Sequence, residues 1–187
     1  MSRSHLLLIG ILTAILVVAG LLTWRMVSTE REVGTPTGAA ALSGTTPGTT
    51  GAQATFTTVS GDAVSLDTYR DGVVVVTTWA SWCPQCRDSL AVAEAAAAEL
   101  APLGVPVLAI NRTESPERIS RYLAGLPEYE HLVLIRDTAD HFYDTTGGYA
   151  MPETVVIDAD GAVVKHMRGM PKTSTIVEAA RRAAGEQ

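Results

Sequence analysis

The segment Trp79-Ala80-Ser81-Trp82-Cys83-Pro84-Gln85-Cys86 sets the two cysteines of this 187-residue chain three residues apart. Two thiols at that spacing can close one small disulfide, and the same pair when reduced can open another. The β-branched run Val73–Thr78 just before them reads as a buried strand. Residues 86–100 after them are Ala-rich, with Leu90, Ala93, Ala97 and Leu100 at helical spacing. A helix starting at the first cysteine is therefore expected. Its free N–H groups and dipole would favour a Cys83 thiolate and lower the thiol below its usual ~8.5. Cys86 would lie on the same side of the first turn, and Pro84 would suit that turn because it has no N–H to leave unsatisfied. Two plainer readings compete. A CxxC can be half of a zinc site, but the histidines at 5, 131, 141 and 166 are scattered. It can also be a structural bridge, although so short a loop constrains the unfolded chain little. Of the flanking indoles, Trp82 reads as surface rim and Trp79 as packing.

The second chemical signal is Tyr149-Ala150-Met151-Pro152-Glu153-Thr154. Pro152 cannot donate to a β ladder, so it marks the start of a strand. Strands are predicted at Val73–Thr78, Val105–Ile110, Leu132–Ile135, Thr154–Ile157 and Ala162–His166. The last two flank the hairpin signal Asp158-Ala159-Asp160-Gly161. Helices are predicted at 86–100, from Ser115 to about Leu123, at Ala139–Thr145 and at about Thr173–Ala184. Strands alternating with helices and ending in a hairpin imply an α/β fold, a mixed sheet with helices on both faces.

Residues 52–187 hold 11 of the 14 basic and 18 of the 20 acidic residues, a net charge of −7. An acidic domain without a basic run argues against a nucleic-acid partner. Before it, 16 of the 24 residues from 28 to 51 are Gly, Thr, Ser or Pro, the composition of a flexible tether. Leu6–Trp24 is an uncharged apolar run of 19 residues, long enough to span a bilayer core of roughly 30 Å. The expected organisation is a membrane anchor over 1–27, a linker over 28–51 and one folded domain over 52–187. Arg3 ahead of the run favours a cytoplasmic N-terminus and an exported domain. A cleaved signal peptide is the rival reading, but the run is long and lacks a small-x-small site.

Taken together, WASWCPQC after VVVVTT, and much later MPETVVIDADGAVV followed by Gly169, resemble the membrane-anchored thioredoxin-like disulfide reductases of the TlpA/ResA/DsbE type. The resemblance covers about residues 54–184. It implies a thioredoxin fold, with the family's insertion at residues 111–130, a cis Pro152 facing the dithiol, and a reducing role, often toward the haem-site cysteines of apocytochrome c. It also implies rereduction by a membrane thiol carrier. Three positions depart from the family. The dipeptide is Pro84-Gln85, whereas relatives usually carry Pro second. Ser89 and Ala91 replace a Glu and a Pro found after the second cysteine in many relatives. Thr77 stands where thioredoxin has a buried Asp, which leaves Glu153 as the nearest candidate acid. Its plainer reading is an exposed carboxylate at a strand start.

The reading is thus a single-pass, extracytoplasmic thiol–disulfide oxidoreductase. Cys83 attacks and Cys86 resolves, supported by Trp79, Trp82, Pro84, Gln85 and Glu153. Substrate pairs along Met151 and Pro152, and neither a metal nor a cofactor beyond the dithiol is expected. The alternative is a copper carrier on the same scaffold, with His141 or His166 as a third ligand. A thiol peroxidase is disfavoured, because no Pro-x-x-x-Thr-x-x-Cys surrounds Cys83.

Overall fold

The structure is a computed structural model that describes residues 56–69 and 71–185. The anchor and linker expected over residues 1–51 lie outside the described residues. Among the described residues, no helix is long and apolar enough to cross a membrane.

Six strands form one sheet: β1 (Phe56–Thr58), β2 (Val74–Trp79), β3 (Val107–Arg112), β4 (Leu132–Asp137), β5 (Glu153–Ile157) and β6 (Val163–Arg168), in the order β1-β4-β3-β2-β5-β6. The helices are α1 (Cys86–Leu100), α2 (Pro116–Leu123), α3 (His141–Thr145) and α4 (Thr173–Ala183). β2, β3 and β4 run parallel, while β1, β5 and β6 are antiparallel to their neighbours. The expected mixed sheet with helices on both faces is therefore present. The short edge strand β1 was not anticipated.

All six residues of β2 are buried, as a β-branched run between two partner strands should be. Alternation along β2 and β5 feeds two cores. Val75, Trp79 and Val156 join Leu90 and Ile176 on the side of α1 and α4. Val74, Val76, Val155 and Ile157 join Phe56 and Phe142 on the other side. α1 turns Leu90, Ala93, Ala97 and Leu100 inward, and a short 3₁₀ turn over Ala101–Leu103 then leads to Gly104 at φ 69°, where a left-handed residue ends the helix. α2 begins where Ser115 accepts a hydrogen bond from the Arg118 N–H at 3.4 Å, with Pro116 in the first position.

α1 is also tied to the entrance of β4. The Glu94 carboxylate accepts from the N–H groups of Glu130 (3.0 Å), His131 (3.2 Å) and Leu132 (2.9 Å), and lies 3.1 Å from His131 Nδ1. Burial alone would raise this carboxyl, but the His131 side chain and the three N–H donors outweigh it and hold it below its ordinary value. A depressed folded value stabilises the fold above the unfolded carboxylate range, and that stabilisation is lost as pH falls through the folded value. Glu94→Gln is therefore expected to be less stable than wild type at neutral pH, with the gap closing as pH falls through the lowered folded value of Glu94. Urea unfolding of both proteins across that range checks this. A gap that does not change with pH would contradict it.

Candidate active site

The parallel β2 and β3 both end at one edge of the sheet, and the antiparallel β5 begins there. β2 leads into Ala80–Gln85 through two successive turns: the Cys83 N–H donates to the Ala80 carbonyl and the Cys86 N–H to the Cys83 carbonyl, both at 3.2 Å. Gln85, at φ −83° and ψ −10°, takes the third position of a type I turn, for which Pro84 in the second position is suited. α1 accordingly begins at Cys86 and not at Cys83 as expected. The reason is local, since a proline disfavours the helical region for the residue before it. Cys83 thus sits just ahead of the cap, still beside the first-turn N–H groups that no helical carbonyl satisfies.

Cys83 and Cys86 are joined in a disulfide. Cys86 is fully buried, and Cys83 keeps only 3% of its surface in this oxidised state. Trp82 beside it is 56% exposed and forms the rim. Trp79 is fully buried, donates from Nε1 to the Ala109 carbonyl at 3.3 Å, and stacks on Tyr122 of α2 with ring centroids 5.5 Å apart. Pro84 and Gln85 are exposed. Burial pushes the Tyr122 phenol up, so it remains a neutral hydroxyl at neutral pH.

The Met151–Pro152 bond is cis. Pro152 is buried, its carbonyl accepts from the Gly169 N–H at 2.8 Å, and Met151 packs against the core cluster that contains both cysteines. The β2/β5 register pairs Thr78 with Glu153, and extending it by one residue sets Pro152 opposite Trp79 at the root of the dithiol loop.

Glu153 corrects the reading made of it. It is 3% exposed, so it is not a solvated strand-start carboxylate. Nor does it point toward the dithiol. Strand alternation puts Glu153 on the face of Val155 and Ile157, whereas Thr154 shares the dithiol side with Val156. There the Thr154 hydroxyl donates to Thr77 Oγ1 at 3.1 Å, so a hydroxyl pair occupies the place where a buried Asp was considered. The Glu153 carboxylate instead accepts from the N–H groups of Tyr149 (3.3 Å) and Ala150 (3.0 Å), lies 3.0 Å from His166 Nε2, and pairs with Arg168 at 3.6 Å. It is a clamp on the loop segment leading to Pro152.

The buried acid beside the dithiol loop is Glu114, which the sequence reading passed over. It accepts from the Ser81 N–H at 2.7 Å, from the Ser81 hydroxyl, and from Asn111 Nδ2 at 2.8 Å, with Arg118 Nε at 3.3 Å. The signal available was positional. Glu114 lies between the end of β3 and the Ser115 cap, and parallel pairing brings that loop to the same edge as the dithiol. Neither His141 nor His166 joins the sulfurs in a ligand set: among the described residues, no group of three or more His, Cys, Asp or Glu could hold a metal ion.

Comparison with known proteins agrees with this geometry. Residues 42–181 match the Redoxin family. The chain belongs to the Redoxin family. Within it, this redoxin is 35% identical over 103 residues to the "Thiol:disulfide interchange protein DsbE" of Allochromatium vinosum, covering 53% of this chain and 52% of that one. It is 28% identical over 109 residues to the "Thiol:disulfide interchange protein HelX" of Rhodobacter capsulatus, covering 58% of each. The redoxin thus spans about half the length of these relatives. Among solved structures, the exposed lipoprotein thioredoxin Etrx1 of Streptococcus pneumoniae superposes with a TM-score of 0.60 at 25% identity, covering 68% of this chain and 96% of that one. The fold is the thioredoxin fold.

Removing the Glu114 carboxylate would leave the Ser81 N–H and Asn111 Nδ2 without their buried acceptor, at a cost of about 1–3 kcal/mol. Glu114→Ala is expected to lose that much stability and Ser81→Ala about 1 kcal/mol. The double variant should lose less than the sum, because the two side chains bond each other. Urea unfolding of the four proteins measures the coupling, and strict additivity would contradict the contact.

Proposed function

We propose that this protein is an extracytoplasmic thiol–disulfide oxidoreductase that reduces protein disulfides through Cys83 and Cys86. The observation carrying the proposal is the Cys83–Cys86 bridge at the end of the central strand, beside an exposed Trp82, with the root of its loop opposite Pro152. Similarity to interchange proteins named DsbE and HelX supports the same reading.

In the reduced form, the Cys83 thiolate attacks one sulfur of a substrate disulfide. That S–S bond breaks, the departing substrate sulfur takes up a proton, and Cys83 is left in a mixed disulfide. Cys86 then loses its proton and attacks Cys83 Sγ, releasing the second substrate thiol and forming the bridge of this structure. The substrate gains two electrons and two protons; the protein supplies both electrons and the Cys86 proton, and solvent returns the proton that Cys83 lost on forming its thiolate. A second dithiol must reopen the bridge, and a membrane thiol carrier is the donor proposed. Met151, just before Pro152, offers backbone groups for an extended substrate to pair with, a form of strand addition. Residues 6–24 would hold the domain at the bilayer, and the haem-site cysteines of apocytochrome c are the substrates implied by the resemblance.

Equilibration of the Cys83/Cys86 couple with dithiothreitol or glutathione buffers tests the direction of electron flow. A reductant is expected to sit near the thioredoxin value of roughly −270 mV, and a potential near about −120 mV would make the protein an oxidant instead.

A further inference from the structure

On the α2 side of the dithiol loop lies an open pocket of about 280 Å³, lined by Ser81, Arg118, Arg121 and Tyr122. Arg118 and Arg121 are three residues apart on one helix, so their side chains emerge on neighbouring positions of one face. Arg118 is held by its Nε against Glu114, yet its side chain is still 62% exposed. Arg121 is exposed as well. Arg118 is engaged through Nε by Glu114, and Arg121 has Glu117 four residues before it, so each charge is partly offset while the outer guanidinium nitrogens of both stay open to solvent. The far wall is Tyr122, fixed by its stack on Trp79.

The two guanidinium groups stand on a domain whose net charge is −7. Charges separated by more than about 8 Å are largely screened at physiological salt, so a ligand at the pocket meets these guanidinium donors and their immediate neighbours more than the charge of the whole domain. Ser81 is two residues from Cys83, at most about 7 Å of extended chain. The pocket is therefore within reach of residues one to three places from the cysteine of a polypeptide joined to Cys83 in a mixed disulfide.

We propose that Arg118 and Arg121 form a carboxylate subsite that selects substrate polypeptides with an Asp or Glu one to three residues from the reacting cysteine. This rests on the dithiol exchange proposed above. Guanidinium groups suit the role because their planar donors match a carboxylate and stay charged at every relevant pH. The subsite adds no chemical step. It orients the incoming disulfide and favours acidic partners that the domain's overall charge would otherwise repel.

The test uses one model peptide disulfide in three versions, with Glu, Gln or Lys two residues from the cysteine. The second-order exchange rate is measured with the wild-type protein, Arg121→Gln and Arg121→Glu, starting from either redox state. An exposed ion pair contributes about 0.2–1 kcal/mol, so wild type should prefer Glu over Gln by up to roughly fivefold at low salt. The preference should fall as salt rises, vanish in Arg121→Gln and reverse toward Lys in Arg121→Glu. Each peptide rate is divided by the same protein's rate with uncharged hydroxyethyl disulfide, which removes any effect of the substitution on the Cys83 thiolate itself. A wild-type protein indifferent to the peptide's charge, or a preference that survives in both variants, would overturn the proposal. Hydroxyethyl disulfide reports on the dithiol alone, so its failure to react would count against the redox reading and not against the pocket. Titration with the same peptides carrying Ser in place of Cys then reads the charge preference without redox chemistry: tighter binding of the Glu version, lost in Arg121→Gln, supports the subsite, and equal binding overturns it.

Discussion

The bond between the Glu114 carboxylate and Ser81 joins two loops that are far apart in sequence and adjacent only because β2 and β3 are parallel neighbours. A dithiol loop must hold two sulfurs in bonding geometry and leave one side open to a partner. Backbone turns alone satisfy the first demand. The second needs the loop to be held from behind, and Glu114 does this with the Ser81 amide and hydroxyl while Asn111 and Arg118 complete its hydrogen bonding and charge. A buried carboxylate is tolerated only when so paired. The end of β3 supports the opposite lip as well. The Arg112 guanidinium pairs with Asp140 and lies 3.3 Å from the centre of the Tyr143 ring, and the Tyr143 hydroxyl donates to the Ala150 carbonyl at 3.2 Å. Asn111, Arg112 and Glu114 thus brace both sides of the dithiol from one strand end.

The same edge carries exposed groups suited to the exchange with a polypeptide proposed above. Trp82 and Tyr149 are large apolar side chains left open to solvent on either side of the bridge, Tyr149 at 71% exposure with Arg168 4.2 Å from its ring centre. Met170 follows Gly169, whose N–H is bonded to the Pro152 carbonyl. Exposed rings beside a redox pair with buried sulfurs suit a partner that presents its own disulfide at short range. The Glu153 clamp holds the loop segment before Pro152 at the Tyr149 and Ala150 amides.

Much of this was legible in the sequence where the signal is local. The apolar face of α1 followed from its spacing, and its end from the Pro102-Leu103-Gly104 stop. The start of β5 followed from Pro152, and the hairpin from Asp158–Gly161. What was not legible depends on register. Whether Glu153 faces the dithiol or the opposite core is decided by a single step along a strand, and spacing from the cysteines does not contain that information. β1 spans three residues after a Thr-rich stretch, too short for periodicity to show. Glu114 finds its partner 33 residues away, a contact visible only once the parallel pairing is known. The helix start was misplaced by two readings of one proline, which can open a helix or occupy the second position of a turn.

The exchange proposed here depends on a division of labour in which Cys83 meets the substrate and Cys86 closes the cycle from beneath. It is tested most directly by incubating the Cys83→Ser and Cys86→Ser variants with one peptide disulfide and counting mixed disulfides by mass spectrometry. The account requires Cys86→Ser to accumulate the adduct on Cys83, because the fully buried resolving sulfur is gone, while Cys83→Ser stays unmodified. Equal trapping by both variants, or an adduct on Cys86 alone, would contradict it.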